Sequence, residues 1–333
     1  MPQMGYGVYQ VTPEECERCV SDALSVGYRM IDTVQAYHNE EGVGRAVKKS
    51  GIARDEVFIV SKIWISNYGY EKAKASIDES LHKLQTEYID LMLLHQPFCD
   101  RYGAYRTLEE AYRAGKLRAI GVSNFYPDHL INLASNVEVK PMVNQVETHV
   151  FDQQVETKKY MDELGCQIMS WGPLAEGRNG FFSNELLGKI GKKYGKTIPQ
   201  VALCWLLQRG VIIIPKSTHK ERMAENFNIF DFELTADDMA QIQTLDTGKN
   251  NVSIANCYMV VVFSKRTLYS DGFISSSTLF LYAYLVRPYS HSILCMDRIN
   301  IWFLKSVGHG EHPVKISKKM LGNRYFCIIV ICR

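Results

Sequence analysis

The chain has 333 residues, which is long enough for one large domain or two of ordinary size. Its 46% hydrophobic and 22% charged residues are typical of a globular protein, and a net charge of +2 gives no reason to expect nucleic acid as a partner. No basic segment followed by an apolar one opens the sequence, and no apolar run approaches the ~20 residues of a membrane-spanning helix. Nine cysteines without a regular spacing indicate reduced thiols, so we expect a cytoplasmic protein without a membrane segment.

Short runs rich in β-branched residues alternate with amphipathic helical segments up to about residue 226. The predicted strands cover residues 3–9, 28–32, 57–62, 89–95, 118–123, 142–147, 167–171 and 211–216. The clearest predicted helices cover residues 13–25, 70–84, 153–164 and 199–209. This alternation is typical of βαβ units, and eight of them favour an α/β fold of the (β/α)8 TIM-barrel type over an open doubly wound sheet. No G-x-G-x-x-G follows a strand, so the sequence does not indicate a Rossmann site.

The first predicted helix contains Cys16 and Cys19 in a C-x-x-C spacing. Thr12 and Glu15 form a capping box at its start, and Gly27 stands where the helix should end. A redox or zinc site would need a second cysteine pair or a strand-to-helix context, and the sequence offers neither. We therefore interpret both cysteines as ordinary helix residues and predict no metal site.

Ionisable residues end three consecutive predicted strands, at Asp32, Lys62 and His95. In (β/α)8 barrels the active site lies at the carboxyl ends of the strands. A single polar residue at such a point is about as often just the N-cap of the next helix. Three in succession are harder to explain in that way, because each loses its hydration on burial unless it is paired. The sequence therefore predicts a site at this end of the barrel.

Tyr37 follows Asp32 in a polar loop and can complete a proton-donating group. A phenol has an ordinary pKa of about 10, but a neighbouring ammonium group such as that of Lys62 favours the phenolate. Asp32 can supply the counter-charge that a buried lysine needs, and neutral His95 can donate a hydrogen bond to a carbonyl oxygen. Together these residues predict a proton donor and a polarising group for a carbonyl that gains negative charge.

The sequence resembles the aldo-keto reductase family in seven segments, which are GYRMIDTVQAYHNEEGVGRAV (27–47), KIW (62–64), YIDLMLLHQP (88–97), IGVSNF (120–125), NQVE (144–147), SWGPLAEGR (170–178) and IPKSTHKERMAEN (214–226). They follow the order and spacing of the family over residues 1 to about 253. The resemblance implies that Tyr37 is the general acid, that Lys62 and Asp32 tune it, and that His95 orients a small carbonyl substrate. The short connection HQPFCDRYGAYR is most similar to the bacterial branch that includes 2,5-diketo-gluconate reductases.

The resemblance also implies NADPH as the cofactor, lying across the mouth of the barrel. It places the nicotinamide carboxamide on Ser123, Asn124 and Gln145, with Trp171 stacked on the ring. Without that context, an aromatic residue at a strand end is more often part of the core. Gly172 and Leu174, which follow Trp171, are further cofactor residues that the resemblance implies.

Lys216, Ser217 and Arg222 supply two cations and a hydroxyl near the start of a short helix, which is a suitable anion site. The alternative is that these residues are simply the solvent-exposed, basic start of a helix and bind no anion. The resemblance assigns this group to the 2′-phosphate of NADPH. It also implies that Glu225 and Asn226 contact the cofactor, with Asn226 on the adenine.

Both ends of the chain depart from the family pattern. Relatives usually begin with a β-hairpin that closes the bottom of the barrel. We expect this hairpin to be truncated here and some apolar barrel residues to contact water. Residues 254–333 carry 10 Lys and Arg against 3 Asp and Glu, whereas residues 1–253 carry 28 against 33. The later segment shows no sustained helical or strand period. We therefore predict a barrel domain at 1–253 and an atypical tail at 254–333 that is not an evolved domain.

Three functions are compatible with these residues. The first is an NADPH-dependent carbonyl reductase. The second is a cofactor-binding barrel with impaired catalysis or a regulatory role, for which loss of the tyrosine or histidine would be the expected sign, although Tyr37 and His95 are both present. The third is a Schiff-base lyase with Lys62 as nucleophile, which needs a lowered lysine pKa that pairing with Asp32 opposes. The sequence favours the reductase, does not identify the carbonyl, and offers no interface repeat, so we expect a monomer.

Overall fold

The structure is a computed structural model that describes residues 1–248 and the backbone of residues 258–266, 278–286, 299–301, 315–321 and 324–330. The chain divides into two compact units, Met1–Asn251 and Val252–Arg333. The strands of the first unit are β1 (Tyr6–Gly7), β2 (Met30–Asp32), β3 (Phe58–Ile63), β4 (Leu91–Leu94), β5 (Ile120–Ser123), β6 (Val143–Glu147), β7 (Gln167–Trp171) and β8 (Ile212–Ile213). Its α-helices are α1 (Pro13–Val26), α2 (Glu40–Lys49), α3 (Tyr70–Leu84), α4 (Arg101–Arg113), α5 (Pro127–Ala134), α6 (Val155–Leu164), α7 (Glu185–Tyr194), α8 (Ile198–Gln208), α9 (Lys220–Phe227) and α10 (Ala236–Gln243).

The strands of the first unit form one parallel sheet in the order of the sequence, with each strand paired to the next. The sheet closes on itself because β8 also pairs with the segment that leads into β1. The backbone N–H of Gly5 donates to the carbonyl oxygen of Ile213 at 2.8 Å, and the N–H of Ile213 donates to that of Gln3 at 3.0 Å. Strands in a closed ring with helices between them make a (β/α)8 barrel, so the predicted fold is confirmed.

The interior of the barrel is packed with apolar side chains. They are Met30, Val60, Leu91, Leu93, Val143, Met169, Ile212 and Ile214. Alternate strand residues such as Ile59 and Val146 point outward and pack under the helices. On β5, Gly121 allows the next strand to approach, since a Cβ there would lie 2.2 Å from the carbonyl oxygen of Val143. Because the interior is filled, ligands can bind at the mouth and not inside the barrel.

The first helix has the limits and the core residues that the sequence predicts. The N–H of Glu15 donates to Oγ1 of Thr12 at 3.3 Å, and Gly27 is the C-cap with a φ of 126°. Cys16 and Cys19 are fully buried on this helix, and burial raises the pKa of the Cys16 thiol to about 12. A buried thiol that stays protonated is unreactive, so the interpretation of the two cysteines as helix core residues is confirmed.

The predicted strands are all present, although several are shorter than predicted. The first differs most, because residues before Tyr6 pair with β8 only through an isolated bridge between Met4 and Ile213. At the amino ends of the strands, a cavity of about 530 Å³ is lined in part by Phe58, Ala119 and Met142. These side chains are partly exposed, as expected for the bottom of this barrel. Among the residues described, no helix is long and apolar enough to cross a membrane.

The second unit contains an antiparallel sheet within its described residues. Its strands are β9 (Tyr258–Arg266), β10 (Thr278–Val286), β11 (Ile299–Ile301), β12 (Lys315–Leu321) and β13 (Arg324–Val330), in the order β11-β10-β9-β13-β12. The sequence predicted no element in these ranges, because it shows no sustained period there. Strand β10, TLFLYAYLV, is a continuous run of β-forming residues, so it lacks the polar alternation that reveals a half-buried strand. That residues 254–333 are not an evolved domain stays a prediction.

Candidate active site

Asp32 and Lys62 form a buried ion pair at the carboxyl ends of β2 and β3. Nζ of Lys62 donates to Oδ1 of Asp32 at 2.7 Å and to the carbonyl oxygen of Thr33 at 2.9 Å. Asp32 pairs with Val60 across the sheet, and Lys62 lies two residues beyond Val60 on the same side of its strand. Parallel pairing therefore brings the two side chains together, and the predicted counter-charge for Lys62 is confirmed.

Burial and charge act in opposite directions on Lys62. Burial lowers the pKa of Lys62 below its ordinary value, while the carboxylate of Asp32 acts to raise it. The other oxygen of Asp32, Oδ2, accepts a hydrogen bond from Nε2 of Gln145 at 2.8 Å. The carboxylate is thus held from β3 and from β6, which fixes the lysine that it binds.

Tyr37 lies in a loop, at the end of the 3-10 turn Gln35–Tyr37 that follows β2. His38, the next residue, has a left-handed backbone with a φ of 55°. The half-buried ring of Tyr37 packs against that of Tyr9, with ring centres 5.2 Å apart. The backbone of Tyr37 thus belongs to a loop, whereas the other three predicted catalytic residues stand on strands or directly after one.

His95 follows β4 and is 9% exposed. The backbone N–H of His95 donates to the carbonyl oxygen of Ile63 at 3.2 Å. This bond extends the pairing of β3 and β4 by one residue. The imidazole lies beside the indole of Trp64, with ring centres 4.8 Å apart. The aromatic contact fixes the plane of the imidazole at the mouth of the barrel.

The residues predicted to hold the nicotinamide form one hydrogen-bonded group at the ends of β5, β6 and β7. Asn124 has a φ of 62°, a conformation that asparagine tolerates better than most residues. Its Nδ2 donates to the carbonyl oxygen of His95 at 3.0 Å, and its Oδ1 accepts from Nε1 of Trp171 at 2.8 Å. Oγ of Ser123 donates to the carbonyl oxygen of Gln145 at 2.9 Å. Because Gln145 also binds Asp32, this group is continuous with the ion pair.

The next two predicted cofactor residues lie in the loop after β7. Gly172 has a φ of 63° and Leu174 precedes the 3-10 turn Ala175–Gly177. Both are half-buried and follow Trp171 directly along the mouth. A left-handed position suits glycine, because glycine has no Cβ to clash there.

The segment after β8 presents the predicted anion-binding residues. Lys216 and Arg222 are exposed, at the strand end and on α9 respectively. The carbonyl oxygen of Ser217 accepts a hydrogen bond from the hydroxyl of Tyr6 at 2.6 Å, and Oγ of Ser217 accepts from the N–H of His219 at 3.1 Å. The backbone is thus held by the barrel while the cations remain open to solvent, which suits a phosphate ligand.

The last two predicted residues differ in their surroundings. Asn226 is buried on α9, 6% exposed. Oε1 of Glu225 accepts a hydrogen bond from Oγ1 of Thr197 at 2.6 Å, at the start of α8. The side chain of Glu225 therefore already supports the junction of two helices.

Three polar residues around Tyr37 are not among those predicted from the sequence: Thr33, Gln35 and Asn39. Oγ1 of Thr33 donates to Oδ1 of Asn39 at 2.7 Å, and Nδ2 of Asn39 donates to the carbonyl oxygen of Val8 at 3.1 Å. Gln35 binds the loop after β3. The sequence could have indicated them only by their position, since Gln35 lies two residues before Tyr37 and Asn39 two residues after it.

A buried cluster of titratable residues follows β6. Nε2 of His149 lies 3.1 Å from Oε1 of Glu147, and Nδ1 of His149 accepts from the N–H of Asp152 at 3.1 Å. Since Nδ1 is an acceptor, Nε2 carries the proton and donates to Glu147. Burial raises the pKa of Asp152 to about 6. Glu147 belongs to the NQVE segment that the sequence analysis named. No pattern in the sequence indicated that His149 and Asp152 would be buried beside it.

The comparison with known families agrees with this barrel and this set of strand-end residues. The sequence profile of the Aldo/keto reductase family matches residues 3–247. The chain therefore belongs to the aldo-keto reductase family, and the predicted resemblance is confirmed. It is an oxidoreductase of that family.

Named relatives and solved structures cover nearly the whole barrel. A glyoxal reductase of Bacillus subtilis is 47% identical over 248 residues, which are 74% of this chain and 89% of the relative. The methylglyoxal reductase DkgA of Escherichia coli is 41% identical over 252 residues, 75% of this chain and 91% of the relative. The crystal structure of a Bombyx mori aldo-keto reductase in complex with NADP is 30% identical, has a TM-score of 0.73, and matches 77% of this chain and 92% of its own.

Proposed function

We propose that this chain reduces aldehydes or ketones to alcohols with NADPH. One observation carries the proposal: the buried pair of Lys62 and Asp32 is hydrogen bonded to Gln145, which joins it to the polar group around Asn124. A charged pair that tunes a proton donor thus lies directly beside a platform of amide and hydroxyl groups. Hydride and proton must reach neighbouring atoms of one carbonyl, and this arrangement supports that requirement.

The residues present fit a nicotinamide dinucleotide phosphate. Buried amide and hydroxyl groups on Ser123, Asn124 and Gln145 are the donors and acceptors that a carboxamide needs, and the half-exposed ring of Trp171 can stack on a planar ligand. The exposed cations Lys216 and Arg222 suit a phosphate. When bound, NADPH supplies a hydride to the carbonyl carbon. The complex of the Bombyx mori relative with NADP supports the choice of cofactor.

The residues of the chain supply the proton and its control. Tyr37 donates its phenolic proton to the carbonyl oxygen, and the Lys62 ammonium stabilises the phenolate that remains. Asp32 holds Lys62 at 2.7 Å, and His95 donates a hydrogen bond to the same carbonyl oxygen and sets its angle. Because Lys62 and Asp32 are buried, their charges are weakly screened by water.

Small carbonyls with a second oxygenated carbon are the substrates that we propose to test first, since two relatives are named for glyoxal and methylglyoxal reduction. The experiment follows NADPH oxidation by the full chain with glyoxal, methylglyoxal, simple aldehydes and sugar ketones, with NADH in parallel. We expect saturable oxidation with at least one carbonyl and an equal amount of alcohol formed. Tight binding of NADPH without oxidation by any of them would favour a cofactor-binding barrel with impaired catalysis.

A Schiff-base reaction on Lys62 is a second candidate, because burial lowers the pKa of this lysine. Against it, Nζ already donates to Asp32 and to the carbonyl oxygen of Thr33. Borohydride trapping of a carbonyl substrate on Lys62 distinguishes the two. We expect no trapped adduct, and mass-spectrometric detection of one would support the lyase.

We also propose that residues 1–253 carry the activity and that residues 254–333 are not an evolved domain. The family match ends at residue 247, and the proposed site residues all precede residue 227. Limited proteolysis of the full chain tests the proposal. We expect early cuts after residue 253 with activity retained, and a protease-resistant fragment from the later segment would contradict it.

A further inference from the structure

Gln35 opens the 3-10 turn after β2, and its side-chain amide makes four hydrogen bonds. Its Oε1 accepts from the backbone N–H of Trp64 at 3.0 Å and from Nδ2 of Asn67 at 2.9 Å. Its Nε2 donates to the carbonyl oxygen of Ser76 at 3.1 Å and to Oγ of Ser80 at 3.0 Å. The amide therefore uses both of its donors and both of its acceptor positions.

These hydrogen bonds connect two segments that carry residues of the site. Gln35 lies two residues before Tyr37, and Trp64 packs against the ring of His95. The donors of Gln35 reach α3, a helix of 15 residues whose inner face is buried under the barrel wall. Gln35 thus ties the turn of Tyr37 both to the loop of Trp64 and to a rigid element.

Tyr37 needs this support more than the other residues of the site do. It lies in a loop, where a displacement of about 1 Å can cost a reaction about 100-fold in rate. On its other side the loop is held by Asn39, whose Nδ2 donates to the carbonyl oxygens of Val8 and Val11 at 3.1 Å each. Gln35 and Asn39 therefore hold the tyrosine from opposite directions, toward β3 and toward β1.

We propose that Gln35 is a positioning residue, which sets Tyr37 relative to Trp64 and so places the phenol over a carbonyl that lies beside His95. The inference rests on the proposed reductase function. The four hydrogen bonds at position 35 require a neutral side-chain amide of the length of glutamine. A glutamate would lose both donors and would turn a negative charge toward the carbonyl oxygen of Ser76.

The test compares Gln35→Leu with Gln208→Leu in the full chain. Gln208 is a matched control, because its amide also holds backbone, accepting from the N–H of Leu234 at 2.8 Å and donating to its carbonyl oxygen at 3.0 Å. We expect Gln35→Leu to lower kcat about 10- to 100-fold. The Kd for NADPH should change by less than about twofold, and the basic limb of the kcat pH profile should shift, since that limb reports the acid. Gln208→Leu should leave kcat and the profile unchanged.

A milder variant and a second measurement separate positioning from folding. Asn67→Ala removes one of the hydrogen bonds to Gln35 and should lower kcat less than Gln35→Leu does. Amide hydrogen exchange of the enzyme without ligands should be faster at the Trp64 N–H in Gln35→Leu and unchanged there in Gln208→Leu. Wild-type kcat and wild-type exchange at Trp64 in Gln35→Leu would overturn the inference. A wild-type chain that reduces no carbonyl would instead overturn the proposed function, and the exchange rate at Trp64 would still decide whether Gln35 is the anchor.

Discussion

The mouth of the barrel holds charge in two contrasting ways. At the ends of β2 and β3, Asp32 and Lys62 are 3% and 1% exposed and are bound to each other at 2.7 Å. After β8, Lys216 and Arg222 are exposed to solvent. The difference follows from hydration. A charge that leaves water must be paired, whereas an exposed cation keeps its water and can exchange it for a ligand phosphate.

The contrast separates chemistry from affinity. The buried pair has its geometry before any substrate arrives, so it can act on the transition state without rearrangement. The exposed cations are screened by salt, and they form their charge-assisted hydrogen bonds only when a ligand phosphate binds. Changes in the first region should therefore alter kcat and stability, and changes in the second should alter cofactor affinity alone.

The largest effect is expected for Tyr37→Phe, which removes the proton donor that the buried pair serves. We expect kcat for carbonyl reduction to fall about 100- to 10,000-fold. The Kd for NADPH, measured by fluorescence titration, should stay close to that of the wild type. Tyr9→Phe is the matched control, because it removes the hydroxyl of the ring packed on Tyr37 and keeps the ring. Undiminished turnover in Tyr37→Phe would contradict the assignment of the acid.

Lys62→Met should lower both kcat and stability, because it leaves the carboxylate of Asp32 buried without its cation. We expect a loss of about 3–5 kcal/mol in the free energy of unfolding, measured by urea denaturation. The double variant Asp32→Asn with Lys62→Met should recover part of the stability and none of the activity. If the double variant were no more stable than Lys62→Met, the buried charge would not be the cause of the loss.

Lys216→Ala tests the exposed side of the contrast. We expect the Kd for NADPH to rise about 10- to 100-fold, as for loss of one charge-assisted hydrogen bond. The Kd for NADH, which lacks the 2′-phosphate, should hardly change, and neither should kcat at saturating NADPH. Lys192→Ala, an exposed lysine on α7, is the control. An equal loss of affinity for both cofactors would remove Lys216 from the phosphate site.

The sequence predicted residues placed by strands better than residues placed by loops. Asp32, Lys62 and His95 end consecutive strands, so parallel pairing alone brings them to one edge. The contacts of Gln35 reach Trp64 and α3, far along the chain, and no local period reveals them. The sequence could not show that the pKa of Lys62 is lowered either, because this shift depends on how completely the barrel buries the lysine.

Alternation of polar and apolar residues also limited what could be predicted for the strands. Strands of the barrel such as β4 and β5 are buried along their whole length and also lack this alternation, but they stand between helices, and helix limits such as Thr12 and Gly27 around α1 are visible in the sequence. Strand β10 has no such alternation, so its β-forming run carries no period to read. A continuous apolar run is therefore recognised as a strand where it alternates with helices whose ends can be read, as in the barrel.

The smallest expected effect concerns Asp152, which is as buried as Asp32 but accepts its hydrogen bond from the neutral amide of Gln154, at 2.9 Å. Burial raises the pKa of Asp152 from 3.8 to about 6. Between these values the folded state binds more protons than the unfolded state, so the free energy of unfolding should fall as the pH rises from about 4 to about 6. Asp152→Asn cannot ionise. It should be more stable than the wild type by about 1–2 kcal/mol above pH 6 and equal to it near pH 4 in urea denaturation. Parallel stability curves for the two proteins would show that Asp152 keeps an ordinary pKa. Burial without a cationic partner would then not be enough to raise the pKa of a carboxyl group in this barrel.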